Sequence, residues 1–110
     1  MGQQAMKLIV AVVDDRDADR VMTALTSQHI GVTCVSSTGG LIAPGNSTLL
    51  IGVEEAFVPQ VMEVLAERAG PRQEYVPLGH APDSALAGLV EVPVGGYLSF
   101  VLDVDEFEQV

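Results

Sequence analysis

The feature that most constrains the fold is the apolar segment from Met6 to Val13, in which β-branched residues dominate. Lys7 is its only charged side chain, and so continuous an apolar run is typical of a strand that is covered on both faces. The sequence therefore predicts a central strand here. With 110 residues the chain has the length of one domain. We place that domain at residues 6–110, behind an N-terminal extension of residues 1–5.

Helical and extended periodicities alternate in the rest of the chain. Asp14 and Asp15 can cap a helix whose apolar stripe starts at Ala18, and Gly31 ends that pattern. A second helix carries Pro59 in its first turn, where proline is tolerated. We expect strands at 6–13, 32–36, 47–53, 74–78, 89–94 and 97–103. This order predicts an α+β fold, a split βαβ sandwich with an antiparallel sheet and both helices on one face.

Two further expectations concern the sheet. Gly95 and Gly96 allow the positive φ angles of a tight turn, so the sequence predicts a hairpin between the last two strands. Two helices cover only one face of a sheet, whereas the segments at 6–13 and 49–53 are almost continuously apolar, with Lys7 as the only charged residue. Self-association in a closed cyclic oligomer would cover the other face. We therefore expect an obligate oligomer.

Charge and composition exclude several classes of partner. Fifteen Asp and Glu against five Lys and Arg give a formal net charge of −10. Binding to nucleic-acid polymers or anionic membranes requires clustered cations, which this sequence lacks, so neither partner is expected. Cys34 is the only cysteine, the N-terminus has no basic signal-peptide region, and no apolar run approaches the roughly 20 residues of a membrane span. A soluble cytoplasmic protein is the expectation.

Residues 36–48 carry the strongest indication of a ligand. They combine glycines, hydroxyl groups and Asn46, which together can approach and hydrogen-bond a nucleotide. The segment contains neither the GK[ST] phosphate loop nor the GxGxxG fingerprint. By spacing alone, a hinge-like connection is the simpler interpretation.

The remaining polar residues indicate no reaction. His29 and His80 could join Cys34 in a metal site, but helix capping and solvation account for both histidines. The aspartates at 14–19 fit the first turn of a helix better than a calcium loop. No local motif indicates a base that could activate Cys34 as a nucleophile. Since no acid–base pair stands out, we expect a protein that is not an enzyme.

The segments MKLIVAVV (6–13), STGG (37–40), GNSTLLIGV (45–53), VEVPVGG (90–96) and FVLDV (100–104) follow one another along the chain. In order and spacing they resemble the PII-like cyclic di-AMP receptors of bacteria, from about Met6 to the C-terminus. The resemblance implies a ferredoxin-like core in a homotrimer and a non-enzymatic role in signal transduction. It further implies that cyclic di-AMP binds between neighbouring subunits and shifts long loops. We expect no cofactor, and the sequence does not identify the protein target.

By position, the resemblance implies a set of ligand contacts. They are Thr33, Gly40, Leu41, Ile42, Asn46 and Gly52, with Gln109 closing over a base and His29 where the family often has another base-contacting polar residue.

The chain departs from the family pattern at three places. Leu41 stands where the family loop usually has a stacking Phe, Ala43-Pro44 replaces a basic stretch, and Gly31 replaces an Arg. Stacking of a base on an aromatic ring contributes about 1 to 3 kcal/mol. Three hypotheses follow: a cyclic di-AMP receptor, a PII-like trimer for another small ligand or a protein partner, and a metal-binding trimer of the CutA type.

Overall fold

The structure is a computed structural model that describes residues 5–36, 45–77 and 89–110. Within these residues the helices are α1 (Asp15–Ser27) and α2 (Val58–Ala69), and a 3₁₀ turn at Glu55–Phe57 precedes α2. The strands are β1 (Met6–Asp14), β2 (Thr33–Ser36), β3 (Asn46–Glu54), β4 (Arg72–Pro77), β5 (Leu89–Val94) and β6 (Tyr97–Asp103).

The main sheet has the strand order β2-β3-β1-β6, and every neighbouring pair in it is antiparallel. The central strand β1 places Ile9 opposite Ile51 of β3 and opposite Val101 of β6. Two crossovers, β1-α1-β2 and β3-α2-β6, therefore interleave in one sheet. This is the predicted split βαβ arrangement, and it is compatible with the ferredoxin-like fold.

Local sequence explains where the helices begin. The Asp14 side chain accepts a 2.8 Å hydrogen bond from the backbone N–H of Arg16, so it caps α1 as predicted. Pro59 lies in the first turn of α2, where its missing N–H costs no helical hydrogen bond. Within the described residues, neither helix has both the length and the hydrophobicity that crossing a bilayer requires.

One face of the main sheet packs against both helices and forms the core. Side chains alternate along β1, so Ile9, Ala11 and Val13 are fully buried while their neighbours in the strand are only half-buried. Each fully buried side chain of the size of Ile9 or Val13 contributes about 1.5 to 3 kcal/mol by leaving water. The fully buried aliphatic partners on the other elements are Val21, Leu25, Leu49, Ile51, Val61 and Leu65.

The opposite face of the main sheet, called here the open face, is apolar along β1 and β6, and neither of the two described helices covers it. It carries the half-buried Leu8, Val10 and Val12 of β1. Their partners on β6 are Leu102, Phe100 and Leu98, which are 47%, 50% and 55% exposed. Among the described residues, the helices thus cover the apolar strand β1 on one side only.

The predicted hairpin between the last two strands is wrong. β5 pairs with β4 in a separate two-stranded sheet, called here the arm, while β6 joins the main sheet beside β1. Gly95 and Gly96 do adopt positive φ angles of 79° and 90°, but they redirect the chain from the arm into the main sheet. The Gly96 N–H donates a 2.8 Å hydrogen bond to the Ala69 carbonyl, which ties this junction to the end of α2.

A buried carboxylate joins the arm to the helices. Asp17 of α1 is fully buried and accepts hydrogen bonds from both terminal nitrogens of Arg72 at 3.0 and 3.3 Å. Arg20 donates to the same carboxylate at 2.5 Å and to the Arg68 carbonyl at 3.2 Å. Burial alone would raise the pKa of Asp17, but the hydrogen bonds from Arg72 and Arg20 hold that pKa below its ordinary value. The first residue of the arm, Arg72, is therefore tied to α1 by an ion pair with a buried carboxylate.

Candidate functional site

Three of the ligand contacts expected from the sequence lie on the open face. Thr33 of β2 pairs with Leu50 of β3, so both side chains point to the same face of the sheet. Asn46 and Gly52 occupy positions of β3 with the same parity as Leu50 and therefore lie on that face too. The face that the helices leave uncovered is thus also the face that holds these three positions.

These positions are not close together within one chain. Asn46 begins β3, and Gly52 lies near its other end. Six residue steps at roughly 3.3 Å each separate them by about 20 Å. Thr33 lies between them, opposite Leu50. The expected contacts therefore divide into a group near Asn46 and a group near Gly52.

A groove of about 430 Å³ lies beside Gly52. Single-subunit ligand pockets typically measure roughly 300 to 1,000 Å³, so the groove is large enough for a small molecule. The connection from α1 to β2 forms one wall, and the end of β3 forms another. The lining residues are Met6, Gln28, His29, Ile30, Gly31, Gly52, Val53, Glu54, Phe57 and Phe107.

The C-terminal tail reaches the same groove. The Val104 N–H donates a 3.3 Å hydrogen bond to the Met6 carbonyl, which starts the tail at the edge of β1. Phe107 then lines the groove, and the exposed Gln109 lies two residues further along the chain. The structure thus brings His29, Gly52 and the tail to one end of the sheet.

His29 has a backbone conformation that is uncommon for its residue type. Its φ is 62°, the left-handed region that glycine usually occupies after a helix. The Ile30 N–H donates to the Leu25 carbonyl and the His29 N–H to the Thr26 carbonyl, both at 2.9 Å, which is the paired closure of a Schellman motif. A histidine here places an imidazole at the groove at the cost of backbone strain.

Replacing His29 by glycine is expected to stabilise the fold. His29→Gly removes the left-handed strain, and we expect the free energy of unfolding to rise by about 1 kcal/mol in urea denaturation. His29→Ala is the matched control, because alanine loses the imidazole but keeps the strain. A glycine variant no more stable than the alanine variant would show that position 29 is not left-handed in solution.

Most cations near the sheet are already paired with carboxylates. Lys7 donates a hydrogen bond to Asp103 and lies 3.5 Å from Glu55, and Arg16 pairs with Asp14 at 3.1 Å. The hydrogen bond from Lys7 lowers the pKa of Asp103. Arg20 and Arg72 pair with Asp17 in the same way. The described groove residues include Glu54 but neither Lys nor Arg, so the groove suits an uncharged group better than a phosphate.

Several expected positions lie outside the described residues. Gly40, Leu41 and Ile42 are among them, as are His80 and the departures at Ala43 and Pro44. Cys34 is half-buried against the core, as a small apolar residue would be. In the parts of the chain that the structure describes, no three His, Cys, Asp or Glu side chains come together as metal ligands.

Sequence reasoning missed two parts of the site. Phe57 and Phe107 lie far apart in sequence, and nothing in their spacing indicates that they line one groove. The sequence indicates Gly31 as the end of the first helical pattern and as the replacement of an Arg, whereas in the structure it lines the groove together with Gly52.

The chain thus forms an α+β domain with ferredoxin-like connectivity and a groove at one end of its main sheet. Residues 6–110 match the cyclic-di-AMP receptor family, so the chain belongs to that family. The chain is also similar to a functionally unknown protein from Pediococcus pentosaceus ATCC 25745, whose crystal structure superposes with a TM-score of 0.80. The two are 35% identical, and the match covers 98% of this chain and 100% of the other.

Proposed function

We propose that this protein is a non-enzymatic signal-transduction receptor that binds cyclic di-AMP between the subunits of a homotrimer and relays binding through loop movement to a protein target. Membership of the cyclic-di-AMP receptor family supports the ligand. The observation that most favours an interface is the division of the expected contacts into two groups. The proposed ligand contacts remain His29, Thr33, Gly40, Leu41, Ile42, Asn46, Gly52 and Gln109.

A closed ring of subunits can bring the two groups of expected contacts together. A ligand that touched both Asn46 and the groove of one chain would have to lie extended across about 20 Å of the open face. In a closed ring, the Asn46 end of one subunit can instead meet the groove end of its neighbour. Each interface then completes one site, and a trimer holds one ligand per subunit.

The open face supplies the surface for such a ring. Leu98, Phe100 and Leu102 expose about half of their side chains beside the half-buried apolar residues of β1. Exposed apolar patches of this kind are typical of association surfaces. The open face of another subunit is the partner that would cover these apolar side chains without burying a charge against them.

A trimer is expected in solution. Sedimentation equilibrium at micromolar concentration should give about three times the 11.6 kDa mass of the chain. Phe100→Glu places a charge on the open face and should shift the protein towards smaller species, because a charge is costly to bury without a partner. A wild-type protein that sediments as a monomer would rule out the shared site.

The phosphates of the ligand would be held by neutral donors. None of the five Lys and Arg side chains is among the proposed ligand contacts, and four of the five already pair with carboxylates. Glycine-rich backbone can instead offer several N–H groups to one anion. The glycines at 39, 40 and 45, together with the Asn46 amide, provide such donors in the sequence.

Asn46→Ala should weaken cyclic di-AMP binding at least tenfold and leave the trimer intact. The half-buried side chain would lose its hydrogen bonds to the ligand, and hydrogen bonds to charged groups contribute about 1.5 to 3 kcal/mol. Isothermal titration measures the affinity. Thr23→Ala, an exposed polar residue of α1 far from the sheet, is the control and should bind normally. Unchanged affinity in Asn46→Ala would move the site elsewhere.

A second candidate is a PII-like trimer tuned to another small ligand or to a protein partner. Leu41 in place of an aromatic residue favours it, as does the pairing of the cations near the sheet. Titration with other nucleotides separates the two candidates. A CutA-type metal-binding trimer remains the third hypothesis, and no observation in the described residues favours it.

A further inference from the structure

The start of β3 is tied to the first residue of α1 by two hydrogen bonds. The backbone N–H of Asp15 donates to the Gly45 carbonyl at 2.9 Å, and the Ser47 hydroxyl donates to a carboxylate oxygen of Asp15 at 2.5 Å. Gly45 and Ser47 are the two neighbours of Asn46 in the chain. Asp15 therefore holds the backbone on both sides of a proposed ligand contact.

The Ser47 side chain meets Asp15 on the helix side of the sheet. Side chains alternate along β3, so Ser47 is only 4% exposed, whereas Asn46 is half-buried on the open face. A buried hydroxyl group without a partner is costly, and the Asp15 carboxylate is the acceptor that the structure provides. Because Ser47 and Asn46 point to opposite faces, Asp15 acts on Asn46 through the backbone of β3.

The backbone before Asn46 needs such a restraint. Gly45 has a φ of 84°, in a region that glycine populates about as readily as it populates negative φ. A Cβ atom at Gly45 would meet nothing within 4 Å, so no close neighbour restrains the glycine on that side. A side chain that is already held in its binding geometry loses less conformational freedom when the ligand arrives. Fixing the backbone around Asn46 therefore favours binding.

We propose that Asp15 is a positioning residue for the ligand site, which presents the Asn46 side chain by holding Gly45 and Ser47. The inference rests on the proposed function and adds to it a residue that does not itself touch the ligand. The role requires an acceptor oxygen at position 15 rather than a negative charge. Asparagine keeps that oxygen, whereas alanine removes it. Loss of the negative charge alone does not weaken the binding of an anionic dinucleotide.

Isothermal titration with cyclic di-AMP tests this role. Asp15→Ala should weaken binding by about fivefold, the effect of losing one intramolecular hydrogen bond. Asp15→Asn should bind at least as tightly as the wild-type protein. Because Asp15 is exposed, neither substitution leaves a cavity in the core. Asp19→Ala, at another exposed position of α1, is the matched control and should bind normally.

Two further variants separate positioning from a general loss of stability. If Asp15 acts through Asn46, Asp15→Ala should weaken binding by less than about twofold in a protein that already carries Asn46→Ala. Asp17→Asn removes a buried carboxylate whose hydrogen bonds come from arginines, so it lowers stability without releasing Gly45 or Ser47. It should bind cyclic di-AMP normally.

The outcomes distinguish this inference from the proposed function. Normal affinity in Asp15→Ala, or an equal loss in Asp15→Asn, would overturn the inference and leave the proposed function intact. A full fivefold loss that persists in the Asn46→Ala background would also overturn it, because Asp15 would then act independently of Asn46. Absence of heat from the wild-type protein would instead contradict the proposed function, and the inference would fall with it.

Discussion

Asp17→Asn is expected to lower the free energy of unfolding by about 2 to 3 kcal/mol. The carboxylate is fully buried, and two arginines donate to it. Breaking a fully buried ion pair costs about 3 to 5 kcal/mol. The expected loss is smaller here because the Arg20 and Arg72 side chains are 51% and 32% exposed and can regain water. Urea denaturation of both proteins measures the difference.

The pH dependence of this loss has a definite sign. Because the pKa of Asp17 is lowered in the folded protein, its contribution is complete above the unfolded pKa of about 4 and disappears as the pH falls through the folded value. The stability gap between wild type and Asp17→Asn should therefore be constant above about pH 5 and narrow as the pH falls below about 4. Asp19→Asn, an exposed position of the same helix, should change stability by less than about 0.5 kcal/mol. Equal effects at 17 and 19 would mean that the buried pair does not form.

Gly95→Ala is expected to destabilise the protein by about 2 to 4 kcal/mol. A Cβ at this position would lie 2.6 Å from the Gly70 carbonyl oxygen and 2.8 Å from an Arg72 nitrogen. The φ of 79° adds backbone strain of about 1 to 2 kcal/mol to the cost of this overlap. Thermal unfolding of the purified variant measures the effect.

Gly96→Ala is the matched comparison. Its φ of 90° is similarly unfavourable for alanine, but a Cβ there would meet nothing within 4 Å. We expect a loss of only about 1 to 2 kcal/mol. The Gly95 overlap involves Arg72, which also pairs with Asp17. The double variant Gly95→Ala/Asp17→Asn should therefore lose less free energy of unfolding than the sum of the losses in the two single variants. Identical losses at 95 and 96 would contradict the close approach of the arm to Gly70.

The main sheet could be predicted from the sequence because its signals are local. A continuous apolar run defined β1, and Asp14 and Pro59 marked the starts of the two helices. The pairing of β5 could not be predicted in this way. Gly95-Gly96 permits several chain reversals, and the choice depends on the Ala69 carbonyl, which lies 27 positions earlier in the chain.

The candidate site was predictable only in part. The resemblance supplied Asn46 and Gly52, and the strand predicted at 47–53 already places them at its opposite ends, but the sequence does not show that both lie on the open face. The buried role of Asp17 was also hidden, because a first-turn aspartate usually faces water. Its partner Arg72 lies 55 residues away, so only the folded chain brings the two together.

Isothermal titration of the purified protein with cyclic di-AMP, with ATP and cyclic di-GMP as controls, tests the proposed receptor most directly. We expect saturable heat with cyclic di-AMP at one ligand per subunit, as a site at every interface of a trimer requires. Absence of heat with all three nucleotides would contradict the receptor function and would mean that the family fold is retained here with a different ligand or none.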